Sequence, residues 1–351
     1  MGPRAPARRA AGPRGRGPPP PSAGAPLNAH APILVTGGSG YIGSVLVRRL
    51  LEQGASVRVL DRMLHGDHGL KELEREPRLE VLVRDLRDPR VHDEALEGVR
   101  TVIHLAAIVG DKACAQDEDL TVQTNWTSTL ALARRAADRG VGRFVFASTC
   151  SVYGEGQEDV LTEDSPIRPL SLYAQTRRHA EEGLLELGGR GGGFTPVLLR
   201  FGTVYGLSPR MRFDLVVNLL TMHAVRRGAV TIFGGSQWRP LVHVEDISRA
   251  LMLAMDEALP EGAPILNVGD TLENYQLIDL KDELVSRIPG VRVTVQPEVT
   301  DRRTYRVSFD RIERLWGFRA TRRVGDGIEE IASALRNGVI PDPEHRRYVN
   351  A

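Results

Sequence analysis

The sequence contains few cysteines and no long apolar run. Its 351 residues include only Cys114 and Cys150 as cysteines, too few for a disulfide framework, so a reducing cytoplasm is the expected location. No apolar run approaches the ~18 residues that a membrane-spanning helix requires. The 46 basic and 45 acidic side chains nearly cancel, which gives no electrostatic basis for binding nucleic acid or an anionic membrane. We therefore expect a cytoplasmic protein that binds neither.

The beginning of the chain lacks large apolar side chains. Residues 1–30 are rich in Pro, Gly, Ala and Arg, and such a segment buries too little surface to offset the entropy of ordering. It also lacks the apolar stretch of a signal peptide. We predict a disordered tail over 1–30 and a second tail over 341–351.

From residue 31 onward, short apolar runs alternate with amphipathic stretches. Aliphatic runs with polar or Gly flanks predict buried strands, and their alternation with helices predicts a parallel sheet. We predict an α/β fold with a doubly wound, Rossmann-type parallel sheet over 31–202. A smaller α/β substrate-binding part over 203–340 is expected to be interleaved with it. The predicted strands are 32–37, 56–61, 79–85, 101–107, 143–149 and 196–202, and the first helices are 41–54, 119–140 and 173–187.

A glycine-rich turn follows the first predicted strand. Gly37, Gly40 and Gly43 form the pattern G-x-x-G-x-x-G between an apolar strand and an amphipathic helix. Such glycines allow a tight turn and let backbone N–H groups approach a diphosphate at the positive end of the helix. Asp61 closes the next predicted strand, where its carboxylate would bind both ribose hydroxyls and repel a 2′-phosphate. This favours NAD over NADP, although Arg62 is able to stack on adenine or attract a 2′-phosphate.

Further motifs make residues 32 to about 335 resemble an extended short-chain dehydrogenase/reductase of the NAD-dependent epimerase/dehydratase family. They are "RDLRD", "VIHLAA", "FVFASTCSVYG", "GGSQWRPLVHVEDISRAL" and "DRRTYRVSFDRIERLWGF", and Asn125 matches the family's helix asparagine. The resemblance implies an enzyme that modifies a nucleotide-sugar with NAD as cofactor. The cofactor-binding residues that it implies are Gly37, Gly40, Tyr41, Ile42, Gly43, Asp61, Arg62, Asp85, Leu86, Leu105, Ala106, Ala107, Tyr173 and Arg177.

The same resemblance implies the reacting groups. Thr149 would hydrogen-bond the sugar oxygen that gains or loses a proton, and Tyr173 would act as general acid and base. Arginines would clamp the diphosphate of the nucleotide-sugar through bidentate hydrogen bonds. His243 and Asp246 match a family motif but are expected to be structural. The substrate-binding residues implied are Thr149, Cys150, Ser151, Thr203, Asn218, Arg239, Arg302 and Arg303.

The two residues after Thr149 indicate which reaction is expected. Sugar 4,6-dehydratases that this chain resembles have Asp-Glu there, and decarboxylases of the family typically keep a Glu at the second position. Here the pair is Cys150 and Ser151, and neither supplies a carboxylate base. Small residues suit epimerases, which oxidise one carbon and return the hydride to the other face, and they also suit ketoreductases.

Arg177 stands where the family has the lysine of Tyr-x-x-x-Lys. In the family this lysine holds the nicotinamide ribose, and its charge favours the phenolate form of the tyrosine. Arginine keeps the charge but is bulkier and planar. Only Lys71, Lys112 and Lys281 are lysines among the 46 basic residues, so an arginine here agrees with the composition. Three interpretations remain: a tolerated replacement, which we favour; compensation by Lys112; and lost turnover with retained cofactor binding.

The leading prediction is therefore an NAD-dependent epimerase of a nucleotide-sugar, acting at C4 through a transient keto intermediate. One alternative is an NAD(P)H-dependent ketoreductase of a keto-deoxysugar nucleotide. Another is a non-enzymatic NAD-binding sensor or scaffold. We expect no metal, and the resemblance implies a homodimer formed through the helices near 119–140 and 173–187.

Overall fold

The chain folds around a parallel sheet covered by helices on both faces. The computed structural model describes residues 31–154, 158–256, 265–297 and 303–350, so the predicted tail over 1–30 lies outside the described residues. The strands in this part of the chain are β1 (Ile33–Thr36), β2 (Val57–Asp61), β3 (Leu79–Val83), β4 (Thr101–His104), β5 (Arg143–Thr149), β6 (Thr195–Phe201), β7 (Thr203–Tyr205), β8 (Ala229–Phe233), β9 (Trp238–His243), β10 (Ile265–Val268), β11 (Asn274–Gln276) and β12 (Arg292–Gln296). The helices are α1 (Tyr41–Glu52), α2 (Val91–Leu96), α3 (Asp111–Gln116), α4 (Glu118–Val122), α5 (Ser128–Asp138), α6 (Leu172–Gly189), α7 (Val216–Arg227), α8 (Val244–Leu253), α9 (Leu280–Arg287), α10 (Asp310–Trp316) and α11 (Val324–Arg336).

The main sheet has the strand order β10-β6-β5-β4-β1-β2-β3, and all of its pairs are parallel. Its side chains alternate between two apolar clusters, one on each face. Leu34 and Phe144 belong to one cluster, and Val35 and Val145 belong to the other. Every residue of β5 is buried, as expected for a strand with helices on both sides. The predicted Rossmann-type α/β fold is therefore confirmed.

The C-terminal part of the chain is interleaved with this sheet. β10 returns to pair with β6, with Ile265 opposite Leu198. The described residues also form a three-stranded sheet, β11-β9-β7, and a two-stranded sheet, β12-β8. Helices α7, α9 and α11 contribute to an apolar cluster around them. This arrangement brings C-terminal residues to the carboxyl ends of the parallel strands, where ligands bind in such folds.

Helix α6 carries Tyr173 and Arg177. It begins after Ser171, whose side chain accepts a hydrogen bond from the Ala174 N–H and so caps the helix. Tyr173, Arg177 and Glu181 are spaced four apart and so lie along one side of the helix. The helix predicted over 119–140 runs without a break from Glu118 to Asp138, and a π-helical turn at Gln123–Thr127 joins α4 to α5.

A buried ion pair fixes helix α6 to the sheet. Glu181 on α6 accepts two hydrogen bonds from Arg200 on β6, at 2.9 and 2.7 Å, and the two side chains are only 3% and 1% exposed. Ser148 on β5 donates to the same carboxylate at 2.5 Å. Arg200 also donates to the hydroxyl of Tyr153, which in turn donates to Asn267 on β10. One network therefore ties α6 to three strands.

We predict that Glu181→Ala lowers the free energy of unfolding by about 3–5 kcal/mol, because it leaves Arg200 buried without a counter-charge. The matched control is Glu182→Ala, which breaks the Arg178–Glu182 pair on the same helix, where the side chains are 43% and 54% exposed. That change should cost less than about 1 kcal/mol. Urea denaturation of both variants measures the difference. Equal losses in the two variants would contradict the role given to the buried pair.

Candidate active site

A cavity of about 740 Å³ opens at the carboxyl ends of the parallel strands. Its volume lies in the range of cofactor and ligand sites. Residues from both the N-terminal and the C-terminal parts of the chain line it. The lining residues that the sequence predicted are Gly37, Gly40, Tyr41, Ile42, Gly43, Asp61, Arg62, Asp85, Leu86, Leu105, Ala106, Ala107, Thr149, Ser151, Tyr173, Arg177, Thr203, Arg239 and Arg303.

The glycine turn forms the floor of one half of the cavity. Gly37 has a φ of 73°, and a Cβ placed there would lie 2.7 Å from the Ala106 nitrogen. A Cβ on Gly43 would lie 2.3 Å from the Gly37 oxygen. Helix α1 then begins at Tyr41 with no side chain capping its N-terminus, so its first amides are available to an anion. The backbone of the turn is thus closely packed below and open to the cavity above.

Asp61 lies at the end of β2, beside this turn. Its two carboxylate oxygens accept hydrogen bonds from the backbone N–H groups of Ser39 and Met63, at 2.9 and 2.8 Å. Burial raises the pKa of Asp61, and these two hydrogen bonds oppose the rise. Each carboxylate oxygen can accept a second hydrogen bond, so the group remains able to bind ribose hydroxyls.

Arg62 and Asp85 pair with each other at the mouth of the cavity, with 3.3 Å between Arg62 Nε and Asp85 Oδ2. Arg87 also binds the Asp85 carboxylate, and this hydrogen bond is the main reason why the pKa of Asp85 is lowered. Because Arg62 already has a carboxylate partner, it is less available to attract a 2′-phosphate. This arrangement agrees with the predicted preference for NAD.

A chain of hydrogen bonds shapes the loop after β4. The Ala106 N–H donates to Thr36 Oγ1, which lies 2.8 Å from His104 Nδ1, and His104 Nε2 lies 2.9 Å from Thr129 Oγ1. Burial, assisted by the charge of Arg177, lowers the pKa of His104 to about 3, so the ring is neutral. Thr129 donates to the Asn125 carbonyl. The loop from Ala106 onward is thereby held by the core beneath it.

Asn125 holds the next residue of that loop. Its side-chain amide accepts from the Ile108 N–H and donates to the Ile108 carbonyl, both at 2.8 Å. The side chain is completely buried and lies in the π-helical turn. It therefore acts on the cavity through the backbone of the loop.

Thr149 and Ser151 lie at the end of β5. The Thr149 hydroxyl accepts from the Ser151 N–H and donates to the Ser151 hydroxyl, both at 3.1 Å. The Ser151 hydroxyl is also 3.5 Å from the hydroxyl of Tyr305. Cys150 differs from the prediction, because it does not line the cavity. Its thiol donates to the Arg200 carbonyl, and burial raises the pKa of the thiol. We therefore assign Cys150 to the core instead of to the substrate.

Arg177 lies inside the cavity wall, and no described carboxylate forms an ion pair with it. The side chain is 1% exposed, and its Nε and Nη1 atoms are buried with no hydrogen-bond partner within the part of the chain that the structure describes. Its guanidinium carbon lies 5.1 Å from the ring centre of Phe146 and 5.4 Å from that of Tyr173. Buried donors without partners are costly, so this site is built to receive a ligand that accepts hydrogen bonds.

Two arginines of the C-terminal part of the chain also line the cavity. Arg239 is 6% exposed, and it donates to the carbonyls of Trp238 and Arg303. Arg303 pairs with Asp111, at the start of α3, at 3.1 Å. Lys112 is the next residue of α3 and lines the cavity with an exposed side chain. Arg302 lies outside the described residues.

Asn218 also differs from the prediction. It is completely buried in α7 and does not line the cavity. Its side-chain oxygen accepts from the Gly206 N–H, and its nitrogen donates to the Tyr41 hydroxyl and the Arg212 carbonyl. We therefore assign Asn218 to the structure of the loop that follows β7 instead of to the substrate.

The sequence interpretation missed residues that line the cavity from the loop before α7 and from the C-terminal segment. Arg210 and Arg212 follow "TVYG", and a cluster of arginines after that motif was the available signal. Val349 and Asn350 fall in the segment predicted to be a tail, so no pattern pointed to them. The other missed residues with polar side chains are Ser39, His65, Arg84, Asp111, Thr124, Ser148, Asp214 and Tyr305.

Among the described residues, no group of three or more His, Cys, Asp or Glu side chains is arranged to hold a metal ion. No described helix is both long and apolar enough to cross a membrane.

Comparison with known proteins identifies relatives of this chain. The model of the NAD dependent epimerase/dehydratase family matches residues 33–269. A probable UDP-arabinose 4-epimerase of Oryza sativa subsp. japonica is 28% identical over 308 residues, which cover 76% of this chain and 75% of the relative.

Solved structures agree with this result. MoeE5 in complex with UDP-glucuronic acid and NAD is 30% identical, with a TM-score of 0.75 over 88% of this chain and 100% of that one. The UDP-glucose 4-epimerase of Thermotoga maritima, solved with UDP-glucose, is 26% identical with a TM-score of 0.78, over 88% of this chain and 99% of that one.

Three observations show that the residues of this cavity fit NAD. Side chains are excluded at Gly37 and Gly43, where the backbone would approach a diphosphate. A carboxylate closes β2, as ribose recognition requires. Arg177 presents buried donors that have no partner in the described chain.

We predict that Gly43→Ala abolishes NAD binding, because the added Cβ would displace the backbone of Gly37 and Gly38. The control is Gly189→Ala, also in a helix, where a Cβ meets no atom within 4 Å. That variant should bind NAD like the wild type. Isothermal titration with NAD distinguishes them, and wild-type affinity in Gly43→Ala would contradict the placement of the diphosphate.

Proposed function

Because this chain belongs to the NAD-dependent epimerase/dehydratase family, we propose that it is an NAD-dependent epimerase of a nucleotide-sugar. We further propose that the substrate is a UDP-sugar and that the inverted carbon is C4. The relatives named above support this choice, since they include a UDP-arabinose 4-epimerase and a UDP-glucose 4-epimerase.

One observation carries the proposal: a buried and unpartnered guanidinium lies against the ring of the tyrosine in the cavity. Arg177 is 5.4 Å from the centre of the Tyr173 ring and has two donors without partners in the described chain. A positive charge in a dry site stabilises a nearby anion strongly. Tyr173 therefore has a buried positive charge beside its ring, and this position suits a proton acceptor for a sugar hydroxyl.

The proposed roles of the residues follow from their positions. When bound, NAD supplies the hydride acceptor and donor of the reaction. Thr149 positions the reacting sugar oxygen, and Tyr173 accepts its proton and later returns it. Arg177 places its positive charge beside Tyr173 and would donate to the cofactor ribose. Arg239 and Arg303 bind the diphosphate of the sugar nucleotide, which would exchange the present Arg303–Asp111 pair for a ligand contact.

The acidic residues of the cavity favour epimerisation over dehydration. Among the described residues, those that line the cavity are Asp61, Asp85, Asp111 and Asp214. Asp61 and Asp85 follow β2 and β3, and Asp111 and Asp214 pair with Arg303 and Arg212. Beside Thr149 in the sequence, Ser148 and Ser151 line the cavity, and neither carries a carboxylate. Eliminating water needs a base that these hydroxyls do not supply.

The proposal includes a homodimer formed through α5 and α6 and a cytoplasmic location. Helix α6 and the α4–α5 region pack side by side and carry partly buried apolar side chains, among them Trp126, Leu130 and Leu185. Cys114 and Cys150 are both free thiols, which suits a reducing compartment.

The test is incubation of the wild type with UDP-glucose, UDP-glucuronic acid, UDP-arabinose, dTDP-glucose and GDP-mannose, with products identified by NMR. We expect one UDP-sugar to convert to its C4 epimer without added cofactor. Tyr173→Phe should lower the rate about 10²–10⁴-fold. Tyr275→Phe, whose hydroxyl contacts Glu283 outside the cavity, should keep the wild-type rate. Stoichiometric consumption of added NAD(P)H would favour the ketoreductase, and no turnover of any sugar would favour the sensor.

Arg177 and Lys112 give a separate prediction. Arg177→Met removes the charge and the hydrogen-bond donors beside Tyr173, so the rate should fall at least about tenfold. Arg177→Lys keeps the charge and should largely preserve the rate. Arg178→Met, on the exposed side of the same helix, is the control.

Lys112→Ala decides between the interpretations of the missing family lysine. Because its side chain is exposed, we expect the rate and the pH profile to stay within about twofold of wild type. A large loss in Lys112→Ala, with none in Arg177→Met, would show that Lys112 supplies the charge instead.

A further inference from the structure

Residues 341–350 cross the cavity, although the sequence predicted only a tail there. Val349 and Asn350 line the cavity. The Asn350 side chain donates to the Val109 carbonyl, in the loop after β4, over 3.5 Å. On the other side it accepts from Arg210 Nη2 at 2.6 Å. We call residues 341–350 the strap, because they connect two walls of the cavity.

The strap is anchored by packing. Tyr348 is 5% exposed, and its ring makes edge contacts with Phe213 and His68, at 5.8 and 6.3 Å between ring centres. The Phe213 N–H donates to the Tyr348 carbonyl at 2.8 Å. Further out, Glu344 pairs with Arg227 on the surface at 2.5 Å. Burial of Tyr348 therefore holds the strap in place while Asn350 reaches the cavity.

Arg210 is the side chain that the strap holds. It is 1% exposed and lines the cavity, and its Nε is buried with no hydrogen-bond partner in the described chain. Its neighbour Arg212 is already engaged, because it pairs with Asp214 at 2.5 Å. A buried donor without an acceptor is costly, and a guanidinium binds an anionic acceptor best.

The surroundings of Arg210 indicate which anion this is. The charge of Arg210 acts on Asp61 and on His65, whose pKa is lowered to about 4 by burial and by Arg210 and Arg212. These residues end or follow β2, at the adenosine side of the glycine turn. The Arg210 N–H donates to the Ser208 hydroxyl, which donates to the Tyr41 carbonyl in the first turn of α1, directly after the glycine turn. Arg210 therefore belongs to the cofactor half of the cavity.

We propose that Arg210 is a ligand of the cofactor diphosphate and that the strap, through Asn350, positions Arg210 and retains NAD between turnovers. This rests on the cofactor of the proposed function. Guanidinium donors match diphosphate oxygens in geometry and charge. The bound cofactor would lie beneath Val349 and Asn350, so its release would require the strap to lift. Retention suits an epimerase, which returns the hydride to the substrate that supplied it, whereas a ketoreductase must exchange its cofactor.

The test measures release of labelled NAD from the full-length protein after addition of excess unlabelled NAD, with no sugar nucleotide present. Asn350→Ala and Arg210→Met should release NAD at least about tenfold faster than wild type, because each removes a charge-assisted contact. Glu344→Gln, which disturbs only the surface pair of the strap, should release NAD within about twofold of wild type. Wild-type release from both Asn350→Ala and Arg210→Met would overturn the proposal.

Direct titrations identify the group that Arg210 binds. In Arg210→Met freed of NAD, the Kd of ADP-ribose, measured by isothermal titration, should be at least about tenfold higher than in wild type, while that of adenosine should change less than about twofold. Arg210→Lys, which keeps the charge, should recover part of the loss. An equal loss for adenosine and ADP-ribose would overturn the diphosphate contact. Release rates need no sugar substrate, so failure to find an epimerase substrate would leave this result standing.

Discussion

The ion pair between Glu181 and Arg200 is the interaction on which the geometry of the cavity depends. Helix α6 has to present Tyr173 and Arg177 beside the end of β5, and apolar packing alone would allow it to slide or rotate. The paired carboxylate and guanidinium remove that freedom, because two parallel hydrogen bonds fix both distance and orientation. Ser148, the neighbour of Thr149, donates a hydrogen bond to the same carboxylate. The positions of Thr149 on β5 and of Tyr173 on α6 are therefore both fixed relative to Glu181.

Two buried arginines at helix α6 differ in how their charge is balanced. Arg200 is balanced by Glu181 and serves the framework. Arg177, one turn earlier on α6, packs against two aromatic rings, and two of its donors have no partner among the described residues. A protein accepts the cost of such a group where a ligand will satisfy it. Like Arg177, Arg210 lines the cavity and has a buried donor without a partner among the described residues. For this reason we assign both arginines to the cofactor.

Much of this fold could be predicted from the sequence, because its signals are local. The apolar strands, the glycine turn and Asp61 are each recognised from residues that are close together in the sequence. The structure contains the parallel sheet that they predict. Side-chain direction was harder to predict. Cys150 and Asn218 match positions of a motif, but the turn after Thr149 directs Cys150 into the core, and the loop before α7 occupies the Asn218 amide. The contributions of Asn350 and Arg210 depend on contacts between distant segments, which no local pattern encodes.

Strand β10 has a consequence for how such a protein can change its specificity. The strand comes from the C-terminal part but completes the edge of the nucleotide-binding sheet, and its Asn267 holds Tyr153 in the Glu181 network. Recombination therefore cannot replace the C-terminal part as a separate unit. A C-terminal part from another protein would have to supply a strand that pairs with β6 and an acceptor for the Tyr153 hydroxyl. New substrates are more accessible through point changes in the loops around the cavity, where neither the sheet nor the network is disturbed.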